Sequence, residues 1–194
     1  MSHVGIGFAV RRIGEISAYP KAVLADICTV AKCRPSGRML LEDGDAANPF
    51  GLCDRVEDAL VAARNSSDDA DAAEALRVYG YELLPVIHTE AGERKARIEA
   101  PALVEPIPAS FMRIGYDAVE FQDNGHGGSF GCSPLSCNGM VSAMRTGGEH
   151  DLPGVSVNAY CLVDSLEEAR ELARYFALRK PEPGPYAVVA VYRQ

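Results

Sequence analysis

The sequence predicts an α+β protein: a tandem internal duplication of a βα(β)βαβ ferredoxin-like unit, its two units related by a pseudo-two-fold axis. Three observations lead there. Residues 44 to 64, from Gly44 through Asn48, Phe50, Leu52, Asp54, Glu57 and Ala59 to Arg64, align with residues 154 to 174 at a constant offset of 110, with eight identities in 21 positions. Other features recur in the same order: Arg12-Ile13-Gly14 with Arg113-Ile114-Gly115, Cys28 and Cys33 with Cys132 and Cys137, and Tyr81 to Val86 with Tyr186 to Val191. Each repeated block also has the local pattern of strand, helix, strand.

The elements follow in order. A first apolar run falls at 4 to 12 and again at 112 to 121; an alternative match pairs Ile6-Gly7-Phe8 with Ile114-Gly115-Tyr116, so the start of each unit shifts by several residues between the two alignments. A helix is expected at 20 to 33 and at 133 to 145. The first unit alone offers Arg38-Met-Leu-Leu41 as an extra strand. Asp54 and Asp164 each precede apolar residues at helical spacing and an acidic first turn, the placement that an N-cap and the helix macrodipole favour. Runs rich in Leu, Val and Tyr introduced by Gly80 and by Gly184-Pro185 then read as strands. Between the units, Glu90-Ala-Gly92-Glu93-Arg94-Lys95 reads as the charged tip of a hairpin, and Pro101, Pro106 and Pro108 mark a linker. The chain thus divides into a first repeat at 1–90, a hairpin arm and linker at 91–107, and a second repeat at 108–194.

Composition removes several function classes. The 194 residues are 47% hydrophobic and 24% charged, which suits a folded globular protein. A net charge of -8 leaves no basic surplus for a phosphate backbone, so nucleic acid is not an expected partner. Charged residues interrupt every apolar stretch before it reaches a bilayer-spanning length, so no membrane contact is expected. Arg11 and Arg12 follow the N-terminal apolar run instead of preceding it, which argues against a secretory signal and for a cytoplasmic location. In that compartment the six cysteines stay reduced. The chain has no C-x2-C and no H-x3-H, so neither a metal nor another cofactor is expected.

Chemistry is sought where the two units differ, because sites are grafted onto scaffolds. The clearest difference is the run from Asp123 to Gly139, which contains His126, Gly127, Gly128, Ser129, Ser133, Pro134, Ser136, Cys137 and Asn138 and has no counterpart before Cys28. Ser133 followed by Pro134 suits a helix start, whose free N–H groups attract anions, and the glycines let backbone approach a ligand. The leading expectation is therefore a small anionic or peptide ligand held by Gly127, Gly128, Ser129, Ser133, Ser136 and Asn138. In a rival reading the Cys137 thiolate, stabilised by the helix start, is a nucleophile with His126 as its base. A third reading is a non-catalytic accessory subunit that offers sheet edges or the 88 to 108 hairpin to a protein partner. Among the other histidines, His3 is terminal, His88 follows a strand and His150 sits in a polar loop. Phe50, Tyr81, Tyr160 and Tyr186 are expected in the core.

Overall fold

A computed structural model describes residues 3–12, 48, 50, 52–66, 76–95, 101–123, 128–130, 133, 135, 157, 158, 160, 162–179 and 184–194. Among these, the elements are β1 (Val4–Arg12), α1 (Val56–Ser66), β2 (Leu76–Thr89), β3 (Gly92–Lys95), β4 (Met112–Asp123), β5 (Gly128–Phe130), α2 (Leu166–Arg179) and β6 (Tyr186–Arg193). The protein has an α+β fold. The six strands form one antiparallel sheet in the order β1-β2-β6-β4-β5, with β3 paired to β2. The expected helix at 20 to 33, the extra strand at 38 to 41 and, apart from residues 133 and 135, the expected helix at 133 to 145 lie outside the described residues.

The sheet has a near-symmetric centre. Strand β2 lies against β6 with Tyr81 opposite Val191, Tyr79 opposite Arg193 and Leu83 opposite Val189. Residue 81 thus faces residue 191, which is 110 positions further on, and the pairs to either side interchange under the same offset. The sequence match of Tyr81 to Val86 with Tyr186 to Val191 has an offset of 105, whereas the ladder partners interchange at 110.

Two corners flank this centre with matching hydrogen bonds. Asn48 donates from Nδ2 to the Ile6 carbonyl at 2.9 Å and to Asp54 Oδ1 at 3.0 Å, and its Oδ1 accepts from the N–H groups of Phe50 and Leu52. Asn158 repeats each bond, to the Ile114 carbonyl and Asp164 Oδ1 at 2.8 Å and from Tyr160 and Leu162. Each corner then bridges to its strand, Phe8 with Cys53 and Tyr116 with Val163. The bridges are possible because β1 and β4 bulge at Gly7 and Gly115, where φ is +128° and +149°. A Cβ on Gly7 would stand 2.6 Å from the Cys53 carbonyl oxygen, and one on Gly115 2.7 Å from Leu162 Cβ. Only glycine fits such a conformation against backbone this close. The corners therefore use the Ile6-Gly7-Phe8 and Ile114-Gly115-Tyr116 correspondence.

Side chains alternate across the strands, so the sheet has a core on each face. Toward the helices lie Leu84, Val86, Tyr116, Ala118, Tyr186, Val188 and Ala190, against which α2 packs Ala169, Leu172, Ala173, Phe176 and Ala177. That spacing of three and four residues is the apolar stripe of a surface helix. Helix α1 buries Ala59 with Phe8, Val78 and Phe111 on the same face. The opposite face gathers Tyr79, Tyr81, Leu83, Val119, Phe121, Val189 and Val191 with Phe50 and Leu52.

The caps differ from the expectation. Helices α1 and α2 start at Val56 and Leu166, so residues 55 and 165 occupy the cap positions, while Asp54 and Asp164 serve the asparagine corners. In α2, Ser165 Oγ accepts from the Glu168 N–H at 3.1 Å and Glu168 Oε2 accepts from the Ser165 N–H at 3.3 Å, a capping box.

Candidate functional site

Strand β2 runs 14 residues against eight in β6, and its last residues enter the hairpin with β3. Thr89 pairs with Gly92 across the turn residues Glu90 and Ala91, and Gly92 takes φ of +111°, as a tight turn requires. His88 pairs with Glu93 in this hairpin and with Tyr186 of β6 on its other side. Paired residues share a face, and the even positions of β2 face the helices. His88 therefore lies under α2, completely buried, within the strand and not after it.

The polar groups around it are unequally satisfied. Arg174, donating from Nε and Nη2, reaches Glu93 Oε1 at 2.8 and 2.6 Å, and Arg170 reaches the same carboxylate at 3.3 Å. Arg170 and Arg174 stand four residues apart on α2, one turn above each other, which is why both meet one carboxylate. His88 has no such bond. Its Nδ1 lies 3.6 Å from Glu93 Oε1, beyond hydrogen-bond length, and neither ring nitrogen has a partner. Burial lowers the His88 pKa below 6.5, Glu93 opposes the shift, and the cations Arg174 and Arg170 add to it. The hydrogen bond from Arg174 chiefly holds the Glu93 carboxyl below its ordinary value. The site thus presents a neutral imidazole beside a carboxylate fixed by two guanidinium groups.

His88 lines a cleft of about 360 Å³ with the turn residues 89–91, Ala177, Gly184 and Pro185. That volume lies at the small end of ligand pockets, which run from roughly 300 to 1,000 Å³. No family model, curated protein or solved structure matches this chain. The site is read from its own geometry.

A second polar group marks the centre of the sheet. Tyr192 Oη donates to Glu82 Oε2 at 2.6 Å, His3 Nδ1 lies 3.7 Å from the same oxygen, and the Arg113 guanidinium stands 4.9 Å above the Tyr116 ring. Burial, followed by the bond to Glu82, pushes the Tyr192 pKa up to about 12. The hydroxyl remains a donor at neutral pH, and the Glu82–Tyr192 contact is satisfied.

The residues expected from sequence are divided. Gly128 and Ser129 belong to β5, paired with Asp123 and Gln122 of β4. Ser133 is buried and its hydroxyl donates to Asp117 Oδ1 at 2.7 Å, so that oxygen is engaged with the sheet. His126, Gly127, Ser136, Cys137 and Asn138 lie outside the described residues. Cys53 is buried, and burial above all raises its thiol pKa, the setting of an unreactive core cysteine. Among the described residues, no group of three or more His, Cys, Asp or Glu side chains is placed to hold a metal ion, and no helix is long and apolar enough to cross a membrane. Sequence reasoning missed His88. The signal was the alternation Leu84, Val86, His88, which puts the imidazole on the buried face of a strand two residues past an apolar run.

Proposed function

We propose that this is a small-molecule-binding α+β protein built by duplication of a βα(β)βαβ unit, with its site in the cleft over His88. The duplication rests on the offset of 110, on the paired asparagine corners and on the interchange of strand partners about Tyr81 and Val191. One observation carries the ligand reading: His88, whose buried ring nitrogens are both unpartnered, borders a cleft of about 360 Å³. Proteins pair buried polar groups almost without exception, because each one left unmade costs about 1–3 kcal/mol, and exceptions concentrate at sites of function.

The test is a fragment screen by two-dimensional NMR on the full chain. Fragments that bind are expected to shift the amide resonances of residues 88–91, Ala177 and Gly184 together. A screen in which no fragment moves that set would overturn the reading.

A further inference from the structure

We infer that the β2–β3 hairpin is an acid-triggered latch: its end, from His88 to Lys95, stays docked on α2 while the His88 ring is neutral and is released when the ring takes up a proton. Residues 89–91 form one wall of the cleft and Ala177, Gly184 and Pro185 the other, so release parts the two walls. The latch does not depend on a ligand being there.

Beyond His88 the hairpin buries little. Residues 90–95 are all exposed, and β3 pairs among the described strands with β2 alone. Glu93 ties this end to α2, accepting from Arg174 Nη2 at 2.6 Å and from Arg170 Nη2 at 3.3 Å. Segments with so little buried surface open locally, well before the domain unfolds. Beneath the tie lies His88, completely buried, with both ring nitrogens closed to water and unpartnered.

The docked arrangement has no place for an imidazolium. On β3, Glu93 stands 3.6 Å from Nδ1, but two guanidinium groups already hold its carboxylate. On α2, Arg170 and Arg174 are both cations, with Glu167 3.7 Å from Arg170 and Glu171 acting on Arg174. The turn contributes Glu90 at the cleft. Within the sheet, Tyr186 of β6 lies opposite His88, and Glu120 of β4 lies opposite Tyr186. None of these groups accepts a hydrogen bond from Nε2. A second proton would thus leave an unpaired N–H in the core beside two cations. Burial outweighs the attraction of Glu93, and Arg174 and Arg170 add to the burial effect.

Water must reach the ring before a proton can, so the open hairpin is the form that takes the proton up. There the ring titrates at its ordinary value of about 6.5. Uptake by the open form alone raises opening about twofold at pH 6.5 and about tenfold at pH 5.5. The Glu93 carboxyl is held below its ordinary value, so it stays charged through this range and is not the group that titrates.

The latch is tested by backbone hydrogen exchange, followed by NMR on the full chain at pH 7.5, 6.5 and 5.5 and expressed as protection factors. Protection of residues 87–93 is expected to fall about tenfold from pH 7.5 to 5.5. At every pH it should stay below that of Tyr81 and Val191 at the sheet centre, as local opening requires. His88→Leu should hold hairpin protection constant over this range, whereas Glu93→Gln should lower it at every pH and keep the acid dependence. Hairpin protection that ignores pH in the unaltered chain, that equals protection at the centre, or that is already absent at pH 7.5 would overturn the inference. The His88 ring resonances give a second reading that needs no variant. The docked ring should stay neutral through pH 6.5, and a docked ring that protonates there overturns the latch even if His88→Leu fails to fold.

Discussion

The corners built on Asn48 and Asn158 make the same hydrogen bonds, yet the helices that leave them begin differently. After Asn158, Ser165 and Glu168 close a capping box inside the helix itself. After Asn48, the cap position holds Arg55, and the Val56 N–H instead bonds to Glu105 Oε1 of the linker at 2.6 Å. The Glu105 N–H bonds in turn to the Asp54 carbonyl at 3.0 Å, which fastens the linker to the first helix start. A corner that must sit against a bulged strand admits one solution, and it occurs twice. A helix start only needs an acceptor, and any nearby chain can supply one.

The most severe way to break the corners is through their glycines. Gly7→Ala and Gly115→Ala each put a Cβ into a left-handed backbone less than 3 Å from backbone or Cβ atoms. Each is expected to cost about 3 kcal/mol or more, from strain and overlap together. Denaturant unfolding checks this, and a loss under 1 kcal/mol at either site would show that the bulge moves easily. Asn48→Ala and Asn158→Ala come next. Each leaves a carbonyl and two N–H groups without their partner, a loss of roughly 2–4 kcal/mol by the usual worth of such bonds. The two losses should agree within about 1 kcal/mol if the corners are equivalent in strength as well as in geometry.

The recurrence of the corner residues was readable from sequence, because Asn48, Asp54, Asn158 and Asp164 all fall within the 21 aligned positions, but their role was not, since Asp54 and Asp164 read as helix caps. The helices α1 and α2 and the strands β1, β2, β4 and β6 were readable too, through apolar periodicity and glycine punctuation. Two further things were not. The cap of α1 comes from a residue 49 positions away, and no local pattern announces a long-range acceptor. The His88 site arises because β2 continues through His88, paired there with the first residue of β6, so that a histidine which reads as a strand end lies under a helix whose Arg174 reaches Glu93 from 81 positions on. Tertiary placement decided the chemistry of that residue. The glycine-rich run drew attention because the first unit has no counterpart to it; of its described residues, Gly128 and Ser129 pair with β4 and the Ser133 hydroxyl bonds to Asp117.

The caps test the comparison at smaller amplitude. Ser165→Ala is expected to cost about 1 kcal/mol, the ordinary value of an N-cap. Glu105→Ala should cost at least as much, since it removes the Val56 acceptor and loosens the linker, and the loss should be felt at residues 101–111 in hydrogen exchange as well as in α1. If exchange rises only in α1, the linker is held by Ile107 and Val104 packing and not by Glu105.

Acid sharpens the contrast on the hairpin side. The folded His88 pKa lies below its ordinary 6.5, so the unfolded chain binds its proton first as pH falls. Stability from this group is complete above about pH 6.5 and is lost as pH falls through the folded value. Glu93, also lowered, adds a loss in the same direction at more acid pH. Between pH 7.5 and 5.5 the unaltered protein should therefore lose stability relative to His88→Leu, which lacks the first titration. A constant difference across that range would mean that the imidazole is not desolvated.

The smallest effect is the most direct test of why the helix starts differ. Arg55→Ser with Asp58→Glu would give α1 the same capping residues that α2 already has at 165 and 168. The exposed contact between Arg55 and Glu57 at 3.3 Å is lost, which matters little for a surface pair. In the unaltered background the gain should be only about 0.5 kcal/mol, because Glu105 already takes the Val56 N–H and the new box adds bonds to other first-turn groups. In a Glu105→Ala background the same double change should recover about 1 kcal/mol, so the two alterations are expected not to add. Strict additivity would mean that the linker carboxylate and the new box, which bond different N–H groups, do not compensate for one another in holding the first turn. The helix starts would then differ in kind, and the first unit would depend on its linker for more than a single hydrogen bond.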